Sequence, residues 1–171
     1  MVLELESVFR TPGLAVSFDY ALPVQEAEML PIDDTMSAIS FAARPSVKGI
    51  VQNRTGIVEL QGVANIRIQT QCDRCATPFI YTAQIPLRHT LVLALNDETN
   101  SDLVLLESAR YDIDPLVWED IVFALPSKML CRSDCKGICQ QCGANLNESA
   151  CDCARPVDPR LAVLRSLLEN D

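Results

Sequence analysis

Val58, Leu60, Gly62, Ala64, Ile66, Ile68, Thr70 and Cys72 fall on one parity of residues 58–72, and mainly polar residues from Glu59 to Gln71 fall on the other. Such a period of two predicts a half-buried strand. Phe79, Tyr81, Ala83, Ile85, Leu87, His89, Leu91, Leu93 and Leu95 repeat the pattern with the opposite parity, which predicts a second strand close behind. Between them stands Cys72-Asp73-Arg74-Cys75-Ala76-Thr77-Pro78, so the pair reads as a β-hairpin with Cys-x-x-Cys at its tip. Pro86 has no N–H to give a ladder, and predicts an edge position or a bulge there. Runs at 15–20, 37–42 and 47–52 read as further strands, with Asn53-Arg54-Thr55-Gly56 as the turn into Ile57.

After Asp114-Pro115 the spacing becomes helical. Asp114 is a candidate N-cap with proline in the first helical position, and Val117, Trp118, Ile121, Val122 and Leu125 recur at helical intervals as far as Pro126. Asp158-Pro159, followed by Leu161, Leu164 and Leu168, predicts a short terminal helix. The predicted class is mainly β, of the α+β type: an antiparallel sheet or partly closed barrel with one or two short helices and a C-terminal cysteine-rich zinc segment. Residues 1–126 are expected to form the β core with its hairpin and one helix, and 127–171 the cysteine cluster and the terminal helix.

With 49% hydrophobic and 22% charged residues the chain can bury an ordinary core. The segment MVLELESVFR carries acids where a signal peptide needs basic residues, and no apolar run reaches the length of a membrane span, so a cytoplasmic protein with no membrane partner is expected. In that compartment thiols stay reduced, and Cys72, Cys75, Cys131, Cys135, Cys139, Cys142, Cys151 and Cys153 read as metal ligands in preference to disulfides.

Residues 131–153 hold six of the eight cysteines, spaced C-x3-C-x3-C-x2-C-x8-C-x-C, in a stretch too polar to build a core of its own. Zinc can organise such a stretch, because it takes four thiolates at about 2.3 Å and short spacings let one turn supply two of them. Gly143 directly after Cys142 suits the sharp backbone turn of a zinc knuckle. One or two structural zinc ions are expected. The favoured partition puts Cys139, Cys142, Cys151 and Cys153 on one ion, which closes only a short loop. Cys72, Cys75, Cys131 and Cys135 then form a second site that clamps the C-terminal segment to the hairpin tip. A single zinc on the C-terminal four and an interleaved pair of sites are the alternatives. Cys135-x3-Cys139-x2-Cys142 also has the spacing of a radical-SAM iron–sulfur motif, but only 29 residues follow it, whereas that enzyme class builds a large barrel after its motif. Four protein ligands leave no position for water, so hydrolysis at the metal is not implied.

His89 is the single histidine and lies fourteen residues from Cys75, about 46 Å along a straight strand at ~3.3 Å per residue, so it reads as a satisfied structural residue. No glycine-rich phosphate loop and no nucleophile paired with a base is present, and no enzymatic activity is expected. Residues 96–120 hold eight acids against Arg110, which accounts for −7 of the chain's net −9. That segment is either a solvated face or a landing surface for a basic partner. Arg74, Arg132, Lys136, Arg155 and Arg160 surround the cysteines and offer a local site for nucleic acid, although a zinc held by four thiolates carries about −2 and absorbs part of their charge.

From about residue 60 onward the chain resembles the YceD-type family, known as large ribosomal RNA subunit accumulation proteins. The resemblance rests on Gly62, Cys72-Asp73-Arg74-Cys75 with Phe79, the segment 119–126 (EDIVFALP), the run 131–147 (CRSDCKGICQQCGANLN) with Cys151-x-Cys153, and the segment 158–164 (DPRLAVL). It implies a factor needed for large-subunit (23S) ribosomal RNA to accumulate, acting in ribosome biogenesis without assigned catalytic residues. Two roles follow: an acidic escort or assembly factor for a basic large-subunit ribosomal protein or assembly intermediate, or a zinc protein that binds ribosomal RNA directly.

Overall fold

The computed structural model describes residues 1–24, 40–94 and 103–153. The alternating segments form a long hairpin in it: β4 (Ile57–Gln71) and β5 (Pro78–Val92) pair antiparallel without a break from Val58↔Leu91 to Gln71↔Pro78. One side of the hairpin faces inward, with Val58, Leu60, Ala64, Ile66 and Ile68 of β4 and Ile85, Leu87 and Leu91 of β5 buried. No bulge occurs at Pro86; opposite Val63, it sits where β5 pairs with β4 alone, because β6 (Leu103–Leu105) joins β5 only at Thr90–Val92. The edge position is therefore the reason proline is accepted.

The runs at 47–52 and 40–42 belong to one strand, β3 (Ser40–Arg54), and not to two. Register shifts between Phe41 and Ala43 and between Ala43 and Ser46 carry β3 past Arg44-Pro45 while it stays paired with β4, so bulges do what a break was expected to do. Residues 37–39 lie outside the described residues. β3 turns into β4 through Thr55 and Gly56, both at positive φ, 53° and 97°, as a two-residue hairpin loop requires. β2 (Ala15–Ala21) flanks β3. The sheet runs β2-β3-β4-β5-β6, antiparallel except for the parallel β5–β6 pair. It is open, with β2 and β6 at its edges, and no closed barrel forms among the described residues.

Three short elements complete the body: β1 (Val2–Glu4) and β7 (Arg110–Asp112), paired antiparallel, and α1 (Glu6–Arg10). Leu3, Leu5 and Val8 from this end are buried in the same core as Phe18, Val47 and Ile113. Asn53 joins the two parts. Its side-chain nitrogen donates to the Val8 and Phe9 carbonyls at 2.7 and 3.2 Å and its oxygen accepts from Gly56 N–H at 2.8 Å, so a fully buried amide is satisfied on both ends.

Helix α2 (Asp114–Ala124) lies on β5, with Leu116, Val117 and Ile121 buried. Asp114 is not its N-cap. Ile113 holds that place and Asp114 is the first helical residue, with its carboxylate 2.6 Å from the Met1 ammonium, a partner far away in sequence that draws it from the capping role. The predicted terminal helix at 158–168 lies outside the described residues. No helix among those described is long and apolar enough to cross a membrane.

Candidate metal centre

The eight thiols gather into two groups of four. Cys72, Cys75, Cys131 and Cys135 form one and Cys139, Cys142, Cys151 and Cys153 the other, with the sulfurs of each group all within 4.8 Å of one another. This grouping is the one in which short loop closure was favoured, and it divides the radical-SAM-like triplet, Cys135 going to one group and Cys139 and Cys142 to the other. A tetrahedron with sulfur about 2.3 Å from its centre has edges of about 3.8 Å. The sulfur pairs Cys72–Cys135 and Cys75–Cys131 stand at 3.7 Å, so two edges of the first group match those of a four-thiolate metal site and the rest lie within 4.8 Å.

Two knuckles with the same backbone supply half of each group. At the hairpin tip the Ala76 N–H donates to the Cys72 carbonyl at 2.8 Å and the Cys72 N–H to the Thr77 carbonyl at 3.0 Å; in the second knuckle the Gly143 N–H donates to the Cys139 carbonyl at 2.9 Å and the Cys139 N–H to the Ala144 carbonyl at 2.8 Å. Ala76 and Gly143, the residues after the second cysteine of each pair, both take positive φ, 56° and 72°. That turn aims successive N–H groups at the sulfur of the first cysteine. Burial pushes the Cys72 thiol up, yet N–H groups of Cys131, Arg74 and Cys75 outweigh it and hold the thiol down to about 6. N–H groups of Cys142 and Gln141 likewise bring Cys139 down to about 6.

Cys75 is also held down, by the Thr77 hydroxyl and N–H, whereas Cys131, Cys151 and Cys153 resist ionisation. Burial and contact with Cys72, Cys75 and Cys135 push Cys131 up to about 12, and contact with Cys142, then burial, does the same to Cys153. Four thiolates this close repel one another, and a cation at the centre is what relieves the repulsion. Both groups therefore have the donor type, number and spacing to hold a metal ion.

The first group stands on the sheet. Cys72, Cys75 and Cys135 are buried with Phe79 and Leu130 packed against them. Asp73 clasps the incoming segment: its N–H donates to the Met129 carbonyl at 2.9 Å and its carboxylate accepts from Met129 N–H. The Arg74 carbonyl accepts from Ile138 N–H at 3.1 Å and its guanidinium donates to the Cys135 carbonyl at 2.9 Å. Gly137 sits against the Arg74 carbonyl at φ 79°, and a Cβ there would lie 3.0 Å from it.

Asn147 ties the loop between Cys142 and Cys151 to the first group, and composition alone gave no sign of it. Its amide nitrogen donates to Cys135 Sγ at 3.4 Å, and its oxygen accepts from Arg132 at 2.7 Å and from Lys136 N–H at 2.8 Å. Asn145 Oδ1 in turn accepts from Asn147 at 2.8 Å. Only the Asn-x-Asn spacing, two residues of a type that folds back on its own backbone, could have pointed to this.

A family described as "Large ribosomal RNA subunit accumulation protein YceD" matches residues 60–168. The chain belongs to the YceD family. The matched span of the YceD family runs from within β4 through the hairpin tip and α2 and takes in all eight cysteines. The protein YlbN of Bacillus subtilis, described as uncharacterized, is 27% identical over 158 residues, or 91% of this chain and 90% of that protein. ML1660 of Mycobacterium leprae, also described as uncharacterized, is 23% identical over 175 residues, which covers this chain fully and 79% of that protein. "Large ribosomal RNA subunit accumulation protein YCED homolog 1, chloroplastic" of Arabidopsis thaliana is 39% identical over 49 residues, 29% of this chain and 15% of that protein. No solved structure matches.

The other residues singled out in the sequence lie elsewhere. His89 Nε2 is 2.6 Å from Asp120 Oδ2 on α2, far along β5 from the thiols. Part of the acidic segment is already engaged: Asp112 and Asp114 face the Met1 ammonium at 3.0 and 2.6 Å. Glu107 and Glu119 are exposed and make no ion pair among the described residues, and Asp97, Glu98 and Asp102 lie outside them. Arg155 and Arg160 lie outside them too.

Proposed function

We propose that this chain is a non-catalytic assembly factor, stabilised by two structural zinc ions, which supports accumulation of large-subunit ribosomal RNA by escorting a basic large-subunit ribosomal protein inside the cell. The observation that carries the reading is the charge around the thiols. Over residues 127–153 Lys128, Arg132 and Lys136 are matched by Asp134, Glu148 and Asp152, a net of zero. Each four-thiolate zinc site then adds about −2, and at the hairpin tip Asp73 cancels Arg74, so the described residues around the thiols supply no net positive charge to offset it. Arg74 and Arg132 are also occupied, the first with the Cys135 carbonyl and the second with Asn147 and Asp134. Such a surface attracts a basic protein and repels phosphate.

Zinc suits both groups because four thiolates form a closed shell that supplies folding energy and leaves no position for a reacting water. Support for a non-catalytic role comes from His89, the one imidazole, being held by a carboxylate with no thiol beside it. Capture of large-subunit components on the immobilised zinc-loaded protein, before and after nuclease, tests the reading. A basic ribosomal protein retained after nuclease supports the escort; retention only of RNA, lost on nuclease treatment, contradicts it.

A further inference from the structure

Helix α2 is apolar on more sides than the core uses. Leu116, Val117 and Ile121 are buried and Trp118, Val122 and Leu125 pack partly buried against the core. Phe123, two turns beyond Leu116, is 80% exposed, more than any other large hydrophobic residue among those described. A helix that rests on a core by one face turns polar residues to water on the other. Packing within the described residues gives no reason for a phenylalanine here.

The surroundings of Phe123 carry negative charge. Glu119 and Asp120 precede it by four and three residues and share its strip of helix surface, and helical side chains lean toward the N-terminus, so the ring covers that turn. Glu119 is exposed and makes no ion pair among the described residues, while Asp120 holds His89. The last turn of α2 contains no basic residue, so the negative end of the helix dipole is not offset from within the helix. Both residues lie in the segment 119–126 by which the chain resembles its family, and neither is used by the metal sites.

We propose that the Glu119–Phe123 strip of α2 is the surface on which the basic ribosomal protein docks, with Phe123 as the apolar anchor and Glu119 and the helix end contacting flanking Lys or Arg side chains. The inference rests on the escort reading and names its contact surface. Aromatic anchors of this kind carry a disproportionate share of binding energy, and a guanidinium stacks on a phenyl face beside a carboxylate. The partner is thus a basic segment that presents an apolar pocket bordered by Lys or Arg.

The test measures equilibrium binding of the zinc-loaded full chain to purified, RNA-free large-subunit ribosomal proteins taken one at a time, with polylysine and large-subunit ribosomal RNA as further probes. Phe123→Ala is expected to weaken the cognate protein at least about tenfold, and Phe123→Leu to restore most of the loss. Polylysine, which has no pocket, should respond to Glu119→Gln and not to Phe123→Ala. Melting temperatures should match wild type, since the ring is exposed. Wild-type binding of a ribosomal protein that Phe123→Ala leaves unchanged overturns the docking surface and leaves the escort reading standing. Wild-type binding to RNA alone, or to no probe, overturns both. A wild-type dimer in sedimentation that Phe123→Ala converts to monomer assigns the strip to a second copy of the chain and overturns the inference.

Discussion

The two knuckles have the same backbone hydrogen bonds, yet one stands on a sheet and the other on a loop. Three of four cysteines in the hairpin group are buried, whereas in the second group Cys142 is exposed and Cys139, Cys151 and Cys153 are half-buried. The hairpin knuckle is the end of a ladder of fourteen residue pairs, closed by Asp73 and Arg74 on the incoming segment. The second has the Ile138↔Asn145 bridge and the Asn145–Asn147 contacts. Local sequence thus sets the shape of a knuckle, and what it stands on sets how firmly that shape is held.

Breaking the hairpin group should have the largest effect. Cys135→Ser removes one ligand of the buried site and with it the docking of 129–138, and the second knuckle hangs from that docking through Ile138. Both zinc equivalents should weaken, hydrogen exchange should accelerate through 127–153, and the melting temperature should fall, because structural zinc sites supply roughly 10–16 kcal/mol of apparent binding energy in small zinc folds. Normal protection at 139–153 in this variant would show that the second knuckle stands alone.

Cys142→Ser should cost one zinc and loosen only 139–153, leaving the hairpin group and the β core with wild-type protection. Loss of protection at Cys72–Cys75 in that variant would reverse the ranking of the two sites. Asn147→Ala is next in size: it leaves the buried Cys135 sulfur without this partner, which costs about 1–3 kcal/mol, while the exposed Lys136 N–H turns to water. Zinc release from both groups should accelerate in this variant, whereas a change confined to one group would mean that Asn147 does not couple them.

The smallest effect concerns the two knuckle residues at positive φ, Ala76 and Gly143. Gly143→Ala should destabilise the second knuckle by about 1 kcal/mol, the ordinary cost of a Cβ in that conformation, since nothing lies within 4 Å of the added carbon. Ala76→Gly at the equivalent place relieves that strain but frees the unfolded chain, so its melting temperature should move little in either direction.

Much of this was legible in the sequence where a signal repeats. Alternation over 58–72 located β4 almost to the residue, while the run read from 79 to 95 overshot β5, which ends at Val92 and leaves Leu93 exposed; loop closure favoured the partition of the sulfurs that the structure groups and left other partitions open. Signals without repetition stayed silent. β1 and β7 have three residues each, too few for a period to show, and their pairing spans most of the chain. Asp114 has a capping residue's identity, but the Met1 ammonium that engages it is a matter of tertiary placement. The parallel pairing of β6 and the bulges that carry β3 past Pro45 likewise depend on neighbouring strands, and Asn53 reads as a turn residue until α1 is seen to end beside it.

Metal content followed through a chelator challenge, with native mass spectrometry on the full chain counting zinc as a function of time, tests the two metal sites most directly. Two zinc ions per chain are predicted, with no iron and no colour, leaving in two steps: first the ion of the more exposed Cys139, Cys142, Cys151 and Cys153 group, then, far more slowly, that of the more buried Cys72, Cys75, Cys131 and Cys135 group. A single zinc, a bound iron, or two ions lost together at one rate would contradict this.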